Sequence, residues 1–182
     1  MTKYRTVPCV VFFAALLLHG AAPARAADTC ETIAAAAGKI WSLPVHIYMT
    51  ETAAYRKNQP KTSESIYTGG ADGAIYVLVN GKWTRSPVTT GQLKAGQDDA
   101  REKAGQSCRY LRDEAVNGEA ASVYSTHHDG DGFKSDVTIW ISKSRNVPLR
   151  SESDMDVGGA AGKSHTSMRY DYSNVQAPAG VK

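Results

Sequence analysis

Apolar and polar residues alternate with a period of two over most of the chain that follows Pro44. Such alternation predicts strands of a sheet, because successive side chains of a strand point to opposite faces. Asx-Gly pairs at 72–73, 80–81, 117–118 and 131–132 stand between these segments and are typical of tight antiparallel hairpins. The pattern therefore predicts an antiparallel meander. Its nine strands are predicted at 45–55, 62–68, 74–79, 82–86, 107–116, 119–127, 134–143, 147–155 and 164–173.

The segment from Cys30 to Leu43 follows a helical period instead. Asp28 and Thr29 are candidate caps at its start, and Pro44 is a stop signal at its end. One side of this predicted helix is apolar, and we expect it to lie on the sheet. The apolar stripe consists of Ile33, Ala37, Ile40 and Trp41.

A second segment, residues 89–104, interrupts the strands with polar residues and alanines. Leu93 is its one large apolar residue, and Gly91 and Gly96 each lower the helix propensity by about 1 kcal/mol relative to alanine. A short, weakly attached helix that covers the sheet and a plain surface connection both fit this pattern.

Two segments carry large apolar residues on both faces, which indicates that both sides of the sheet are covered. Residues 75–79 read Ile-Tyr-Val-Leu-Val and residues 137–141 read Val-Thr-Ile-Trp-Ile. Either helices cover one side and a second layer of strands the other, or one side curves around an apolar cavity. Counting back from the turns sets Leu78 opposite Trp83 and Leu111 opposite Tyr124.

The N-terminus has the organisation of a secretory signal peptide. Lys3 and Arg5 precede an apolar run from Val10 to Leu18, and residues 24–26, Ala-Arg-Ala, form a cleavage site. We expect cleavage after Ala26, which leaves residues 27–182 as a single domain in the periplasm or secreted. An uncleaved anchor is the alternative, but the run of about nine residues falls short of the roughly 20 that span a membrane.

Removal of this segment changes the charge and the cysteine count. Three of the 21 basic residues leave with it and no acidic one does, so 18 basic residues face 18 acidic ones. The predicted mature domain is neutral, which removes the argument for a nucleic-acid partner. Of three cysteines, Cys30 and Cys108 remain, and export predicts that they form a disulfide; two free buried thiols are the alternative.

No motif predicts catalysis, a cofactor or a metal. Residues 158–164 resemble a phosphate-binding loop, but its first glycine position holds Val157. The segment from His127 to Asp131 holds four potential metal ligands, yet neighbouring strand residues point to opposite faces. We therefore expect a polar hairpin tip there, and a protein that is not an enzyme.

Several segments together resemble a known superfamily. They are Gly81-Lys82-Trp83, Asn117-Gly118-Glu119, residues 139–143 (Ile-Trp-Ile-Ser-Lys) and residues 148–150 (Pro-Leu-Arg), followed by a closing Tyr-x-Tyr-x-Asn-Val strand. This pattern is similar to bacterial periplasmic proteins of the LolA/LolB/RseB-like superfamily. The resemblance implies an α+β fold that is mainly β, with a strongly curved antiparallel sheet, an incomplete barrel, and an N-terminal helix and a second short helix on its concave side. Asn146 and Val147 depart from the usual glycine-leucine turn.

The same resemblance implies an apolar hollow, and we expect a non-enzymatic periplasmic binding or carrier protein for a lipid, an acyl chain or a lipoprotein. A module that binds an envelope protein through a sheet edge or hairpin tips, as a stress sensor or inhibitor, is the alternative. We expect a monomer that does not span the membrane. The candidate lining residues are Trp41, Ile47, Met49, Val77, Trp83, Ile139 and Trp140.

Overall fold

The computed structural model describes residues 26–103, 106–130 and 132–181. The predicted signal peptide lies outside the described residues except for Ala26. All nine predicted strands are present. They are β1 (Val45–Ala53), β2 (Lys61–Tyr67), β3 (Ile75–Val79), β4 (Lys82–Arg85), β5 (Gln106–Val116), β6 (Glu119–Gly130), β7 (Phe133–Ser142), β8 (Pro148–Asp156) and β9 (Lys163–Asp171).

The nine strands form one antiparallel sheet in the order β4-β3-β2-β1-β9-β8-β7-β6-β5. The sheet is strongly curved, as Trp41 of the N-terminal helix shows. Its ring stacks on Tyr67 of β2 at 5.5 Å, and it also lines a cavity with Cys108 of β5. Those two strands are six positions apart, which in a flat sheet amounts to about 29 Å. One side chain reaches both because the sheet bends around it, so the predicted incomplete barrel is confirmed.

Helix α1 (Ala26–Ser42) lies on the concave face, which we call the inner face. The helix begins before the predicted caps, so Thr29 is a buried residue within its first turn rather than a cap. It ends as predicted before Pro44. Its most buried side chain is that of Ala36, which packs with Ile33 against Ile139 and Ile141 of β7.

Helix α2 (Thr90–Lys103) confirms the helical alternative for the second segment. Its first turn is capped reciprocally, because the Thr89 amide donates to the Gln92 side chain at 2.8 Å and the Gln92 amide donates to the Thr89 hydroxyl at 3.3 Å. The fully buried Thr90 ties this end to the loop between β2 and β3, since its amide donates to the Gly73 carbonyl at 3.0 Å. The start of α2 is therefore held more firmly than its single apolar anchor suggests.

Two of the predicted Asx-Gly hairpin turns have the backbone that they require. Both residues of Asn80-Gly81 and of Asn117-Gly118 have positive φ. The prediction for 72–73 is wrong, because the positive φ angles in that loop belong to Gly69 and Gly70. At 131–132 only Gly132 lies within the described residues. Asn146 has φ 52°, so it takes the left-handed conformation that a glycine would supply in the related turn.

The predicted pairing of Leu78 with Trp83 is confirmed, whereas that of Leu111 with Tyr124 is wrong. Tyr110 stands opposite Tyr124, because a β-bulge between Tyr110 and Arg112 inserts Leu111 as an extra residue. Leu111 packs instead against the apolar cluster on the outer, convex face. The bulge also reverses the orientation of every residue before it on β5.

The sheet is buried on both faces, as the sequence of β7 predicts. On the outer face an apolar core forms, and the described residues place no second layer of strands over it; Tyr172, which follows β9, packs against this core. This outer core contains Ala121, Val123, Trp140, Val147 and Leu149. On the inner face the cover is α1.

Candidate functional site: an apolar cavity beneath the first helix

A cavity of about 330 Å³ lies between α1 and strands β5, β6 and β7. This volume is at the lower end of the roughly 300–1,000 Å³ range of small-molecule sites. The helix and the sheet contribute about equally to its wall. The helix side is formed by Cys30, Ile33, Ala34, Ala37, Gly38 and Trp41, and the sheet side by Gln106, Cys108, Thr126, Val137 and Ile139.

The space exists because the helix presents small side chains to it. Ala34, Ala37 and Gly38 stand where a packed interface would carry leucine or isoleucine. A Cβ built on Gly38 meets no atom within 4 Å, so even the missing methyl group leaves room. The sheet opposite contributes Val137 and Ile139, and the two apolar walls therefore stand apart.

None of the described residues that line this cavity carries a charge. Gln106 and Thr126 are the polar side chains among them, and both lie on the sheet side. A charged group inside would lose its hydration without an ionic partner, which is costly. The wall accordingly suits an uncharged, mainly apolar group.

A disulfide between Cys30 and Cys108 closes one part of the wall and confirms the predicted pairing. It joins α1 to β5 with their Cα atoms 5.3 Å apart. Cys108 faces the helix because the β-bulge of β5 has turned it to the inner face, opposite Thr126. Such a bond is typical of proteins in an oxidising compartment.

Two tyrosines, Tyr67 of β2 and Tyr170 of β9, lie on the same inner face as the cavity but do not line it. Trp41 stacks on Tyr67, and burial raises the pKa of the Tyr67 phenol. Burial likewise raises the pKa of Tyr170, whose hydroxyl is 3.1 Å from that of Ser151. Both phenols stay neutral at physiological pH, so the inner face acquires no charge from them.

Five of the seven predicted lining residues lie on the inner face. Trp41 and Ile139 line the cavity itself. Met49 shares a cross-strand row with Ile139 through Ser151 and Met168. Ile47 and Val77 lie on the same face, in the next row across Ser65.

The other two, Trp83 and Trp140, lie on the outer face. Trp140 is 6% exposed within the outer core, beneath the Arg150 guanidinium at 4.8 Å from the ring centroid. Trp83 stands edge-on to His46 at 5.9 Å. The seven residues therefore do not surround one space, because Ile139 and Trp140 are neighbours on a strand and point in opposite directions. Their part in ligand binding stays a prediction.

The small residues of the cavity were missed by sequence reasoning, although a signal was present. The alanine run at 34–37 and Gly38 weaken the apolar stripe of α1 where it crosses the sheet. A helix face that lies on a sheet but carries alanine and glycine indicates either a very close approach or a space. The structure shows a space.

Both histidines of the predicted hairpin tip contact side chains of the neighbouring strand β7. His127 Nδ1 is 2.8 Å from an Asp136 oxygen, and Asp129 accepts a bond from Lys134 at 2.7 Å. The His128 ring stacks on Phe133 at 4.4 Å. Asp131 lies outside the described residues. Within the described ranges, no three metal-ligating side chains of the His, Cys, Asp and Glu types come together.

None of the described helices has the length and apolarity needed to cross a membrane. No protein-family profile and no curated protein sequence matches this chain.

Three solved structures illustrate the similarity of fold. The lipoprotein LppX of Mycobacterium tuberculosis has 11% identity and a TM-score of 0.45, over 84% of this chain and 95% of its own. MucB in complex with MucA has 14% identity and a TM-score of 0.46, over 85% of this chain and 59% of the MucB chain. A LolA-superfamily protein of Nitrosomonas europaea has 12% identity and a TM-score of 0.31, over 80% and 91%. The predicted resemblance to the LolA/LolB/RseB-like fold is confirmed, as a likeness of fold alone.

Proposed function

We propose that this chain is a non-enzymatic binding or carrier protein for an apolar ligand, and that one acyl chain or a small lipid occupies the cavity beneath α1. The observation that carries the proposal is the uncharged wall with alanine and glycine on its helix side. A core that served stability alone would gain by filling this space, because an empty cavity forfeits dispersion contacts.

The size of the cavity limits the ligand. About 330 Å³ suits one aliphatic chain or a compact apolar molecule, and it is too small for several acyl chains together. Burial of aliphatic surface against Ile33, Val137 and Ile139 supplies about 25 cal/mol for each Å² removed from water. Thr126 and Gln106 offer hydrogen bonds to an ester or hydroxyl group at one end.

The test fills the cavity from the helix side. Gly38→Leu places a side chain in the space, and Gly96→Leu makes the same change in α2 at a site that is also open around its Cβ. Fluorescence titration with cis-parinaric acid methyl ester, an uncharged acyl probe, should show saturable binding to the wild type and to Gly96→Leu, and binding at least tenfold weaker to Gly38→Leu. Native mass spectrometry of protein purified from the compartment to which it is exported should show bound lipid in the first two and none in the third.

Equal binding of the probe to Gly38→Leu and Gly96→Leu would contradict the proposal. So would wild-type protein that neither retains lipid nor binds the probe. Trp41 provides an independent readout in a Trp83→Phe/Trp140→Phe background, because it is then the remaining tryptophan and it lines the cavity. Its emission should shift to shorter wavelength when a ligand displaces water.

A further inference from the structure

The ladder between β2 and β3 ends before either strand does. The pairing comprises Ser65–Tyr67 with Ile75–Val77 and then ends. Beyond it, β2 continues as a strand through Lys61–Glu64, and β3 continues through Leu78 and Val79. We call the opening between these two continuations the β2–β3 fork.

Each arm of the fork keeps its other partner. Lys61–Glu64 remain paired with β1, from Glu51↔Lys61 to Tyr48↔Glu64. Val79 remains paired with Lys82 of β4. Both arms are therefore held in regular strand conformation, and each presents one unpaired edge to the other.

The alternation of a ladder shows which backbone groups point into the fork. The Thr68 amide donates to the Ala74 carbonyl at 3.0 Å, so even-numbered residues of β2 direct their amide and carbonyl groups toward β3. Thr62 and Glu64 share this parity. On β3 the Ile75 carbonyl accepts from Ser86, beside β4, so Leu78 has the opposite parity and faces the fork.

The space between the arms has the size of a short strand. It measures about 670 Å³ and is lined by residues 61–64 and 77–81. A strand residue occupies about 160 Å³, from the 4.8 Å, 10 Å and 3.4 Å spacings of packed sheets. The fork therefore holds about four residues, which equals the number of β2 positions that lack a partner on this side.

We propose that the fork is a binding site for an extended segment of another polypeptide chain, which enters as an additional strand that runs antiparallel to β2 and therefore parallel to β3. The unpaired amide and carbonyl groups of Thr62 and Glu64 on one arm and of Leu78 on the other select a backbone of the same kind. Val77 and Val79 flank the fork on the inner face, and Val79 is 51% exposed. The guest segment accordingly carries an apolar residue at every second position.

This inference does not rest on the proposed ligand of the cavity, since no residue that lines the cavity lines the fork. The probe for the test is a labelled peptide that copies residues 45–53, Val-His-Ile-Tyr-Met-Thr-Glu-Thr-Ala. That sequence already pairs with β2 from its other side and carries apolar residues at alternate positions. A scrambled peptide of equal composition is the control.

Fluorescence anisotropy should show saturable binding of the probe and none of the scrambled peptide. Amide hydrogen exchange at Thr62, Glu64 and Leu78 should slow in the complex. Each N-methyl group placed on an edge of the peptide should weaken binding by about five- to tenfold, because it removes one hydrogen bond and blocks the approach. Thr62→Pro, which removes an amide that faces the fork and leaves the β1 ladder intact, should weaken it to a similar extent.

Binding that N-methylation and Thr62→Pro leave unchanged would overturn the proposal, and so would the absence of binding or of amide protection. Circular dichroism of Thr62→Pro checks that the sheet is intact, and the N-methylated peptides provide the test on unaltered protein. Gly38→Leu should bind the probe peptide as the wild type does, so failure of the cavity and failure of the fork are separate results.

Discussion

The two faces of strand β7 meet very different partners. On the inner face Val137 and Ile139 stand across from the alanines and the glycine of α1, and a cavity of about 330 Å³ remains between them. On the outer face Trp140, from the same strand, is packed among Val123 and Leu149 and is nearly inaccessible. Both faces are apolar here, yet the side chains around Trp140 are closely packed, whereas those beneath α1 leave a space.

This difference shows that the apolar pattern of a strand determines burial, whereas the volume of the opposite partner determines packing. A tryptophan on the outer face fills its surroundings. On the inner face the partner is a helix whose side chains stop at Cβ. The closely packed cluster around Trp140 and the candidate binding space thus lie on opposite sides of one sheet, and side-chain substitutions on the two sides should act differently.

The largest effect should follow loss of the disulfide that fixes α1 above the cavity. The disulfide joins cysteines that are 78 positions apart in the sequence and so closes a long loop. In the chain-entropy model, its removal by Cys30→Ser/Cys108→Ser lowers the unfolding free energy by about 4.5 kcal/mol. Urea denaturation followed by circular dichroism measures this loss. The wild type treated with a reductant is the control, and it should match the double variant. A loss below about 1 kcal/mol would mean that packing alone holds the helix.

The packed cluster around Trp140 should be next in sensitivity. Trp140→Ala should lower the unfolding free energy by about 3 kcal/mol, the lower end of the range for a buried tryptophan, because the exposed Arg150 side chain above the ring can settle into the space. Trp83→Ala, also on the outer face but less buried, is the matched comparison and should cost less. Affinity for cis-parinaric acid methyl ester should be unchanged in Trp140→Ala at temperatures where it is folded. A reduced affinity there would contradict the separation of the two faces.

Much of this architecture followed from the sequence because each strand carries its own alternation and its own turn residues. The nine strands, Asn80-Gly81, Asn117-Gly118 and the Leu78–Trp83 pair all depend on residues close together in the chain. The bulge at Leu111 could not be predicted in this way. No local rule distinguishes an inserted residue from a regular one in a long alternating strand, and one insertion reverses the faces of all residues before it.

The cavity was only half predictable for a related reason. The prediction that Ile139 and Trp41 line a hollow agrees with the structure, because large apolar residues in an alternating or helical pattern indicate which side chains face the protein interior. Trp140 was expected there as well, although alternation places it on the other face once the orientation of Ile139 is fixed. The space itself depends on how closely α1 approaches the sheet, and that distance arises from three-dimensional packing and from the bond between Cys30 and Cys108.

On the inner face, at the cavity, we expect a smaller effect of opposite sign on the unfolding free energy. Gly38→Ala should raise the unfolding free energy by about 0.5–1 kcal/mol, because alanine loses less backbone entropy in a helix and the new methyl group meets nothing within 4 Å. Gly96→Ala, in α2, should give a similar gain and serves as the control. Thermal unfolding measures both. The two variants should differ in binding, since only Gly38→Ala narrows the cavity; a destabilised Gly38→Ala would show that the space is closed in solution.

The smallest effect concerns ionisation on the outer face, where His165 of β9 lies between two acids of β8. Its Nδ1 is 2.8 Å from Asp154 and its Nε2 is 2.9 Å from Glu152, and these neighbours, Asp154 first, raise the pKa of the imidazole above 6.5. Because the pKa is higher in the folded state, the stabilisation is complete below pH 6.5 and is lost as the pH rises through the folded value. The site is about half exposed, so solvent screening limits the effect to a few tenths of a kcal/mol.

Wild type and His165→Gln should therefore differ most in unfolding free energy near pH 5.5 and converge near pH 8.5. No charged side chain lines the cavity on the inner face, so the affinity of an uncharged apolar probe should not change between pH 5.5 and 8.5. A probe affinity that changed with pH as the unfolding free energy does would contradict the independence of the two faces.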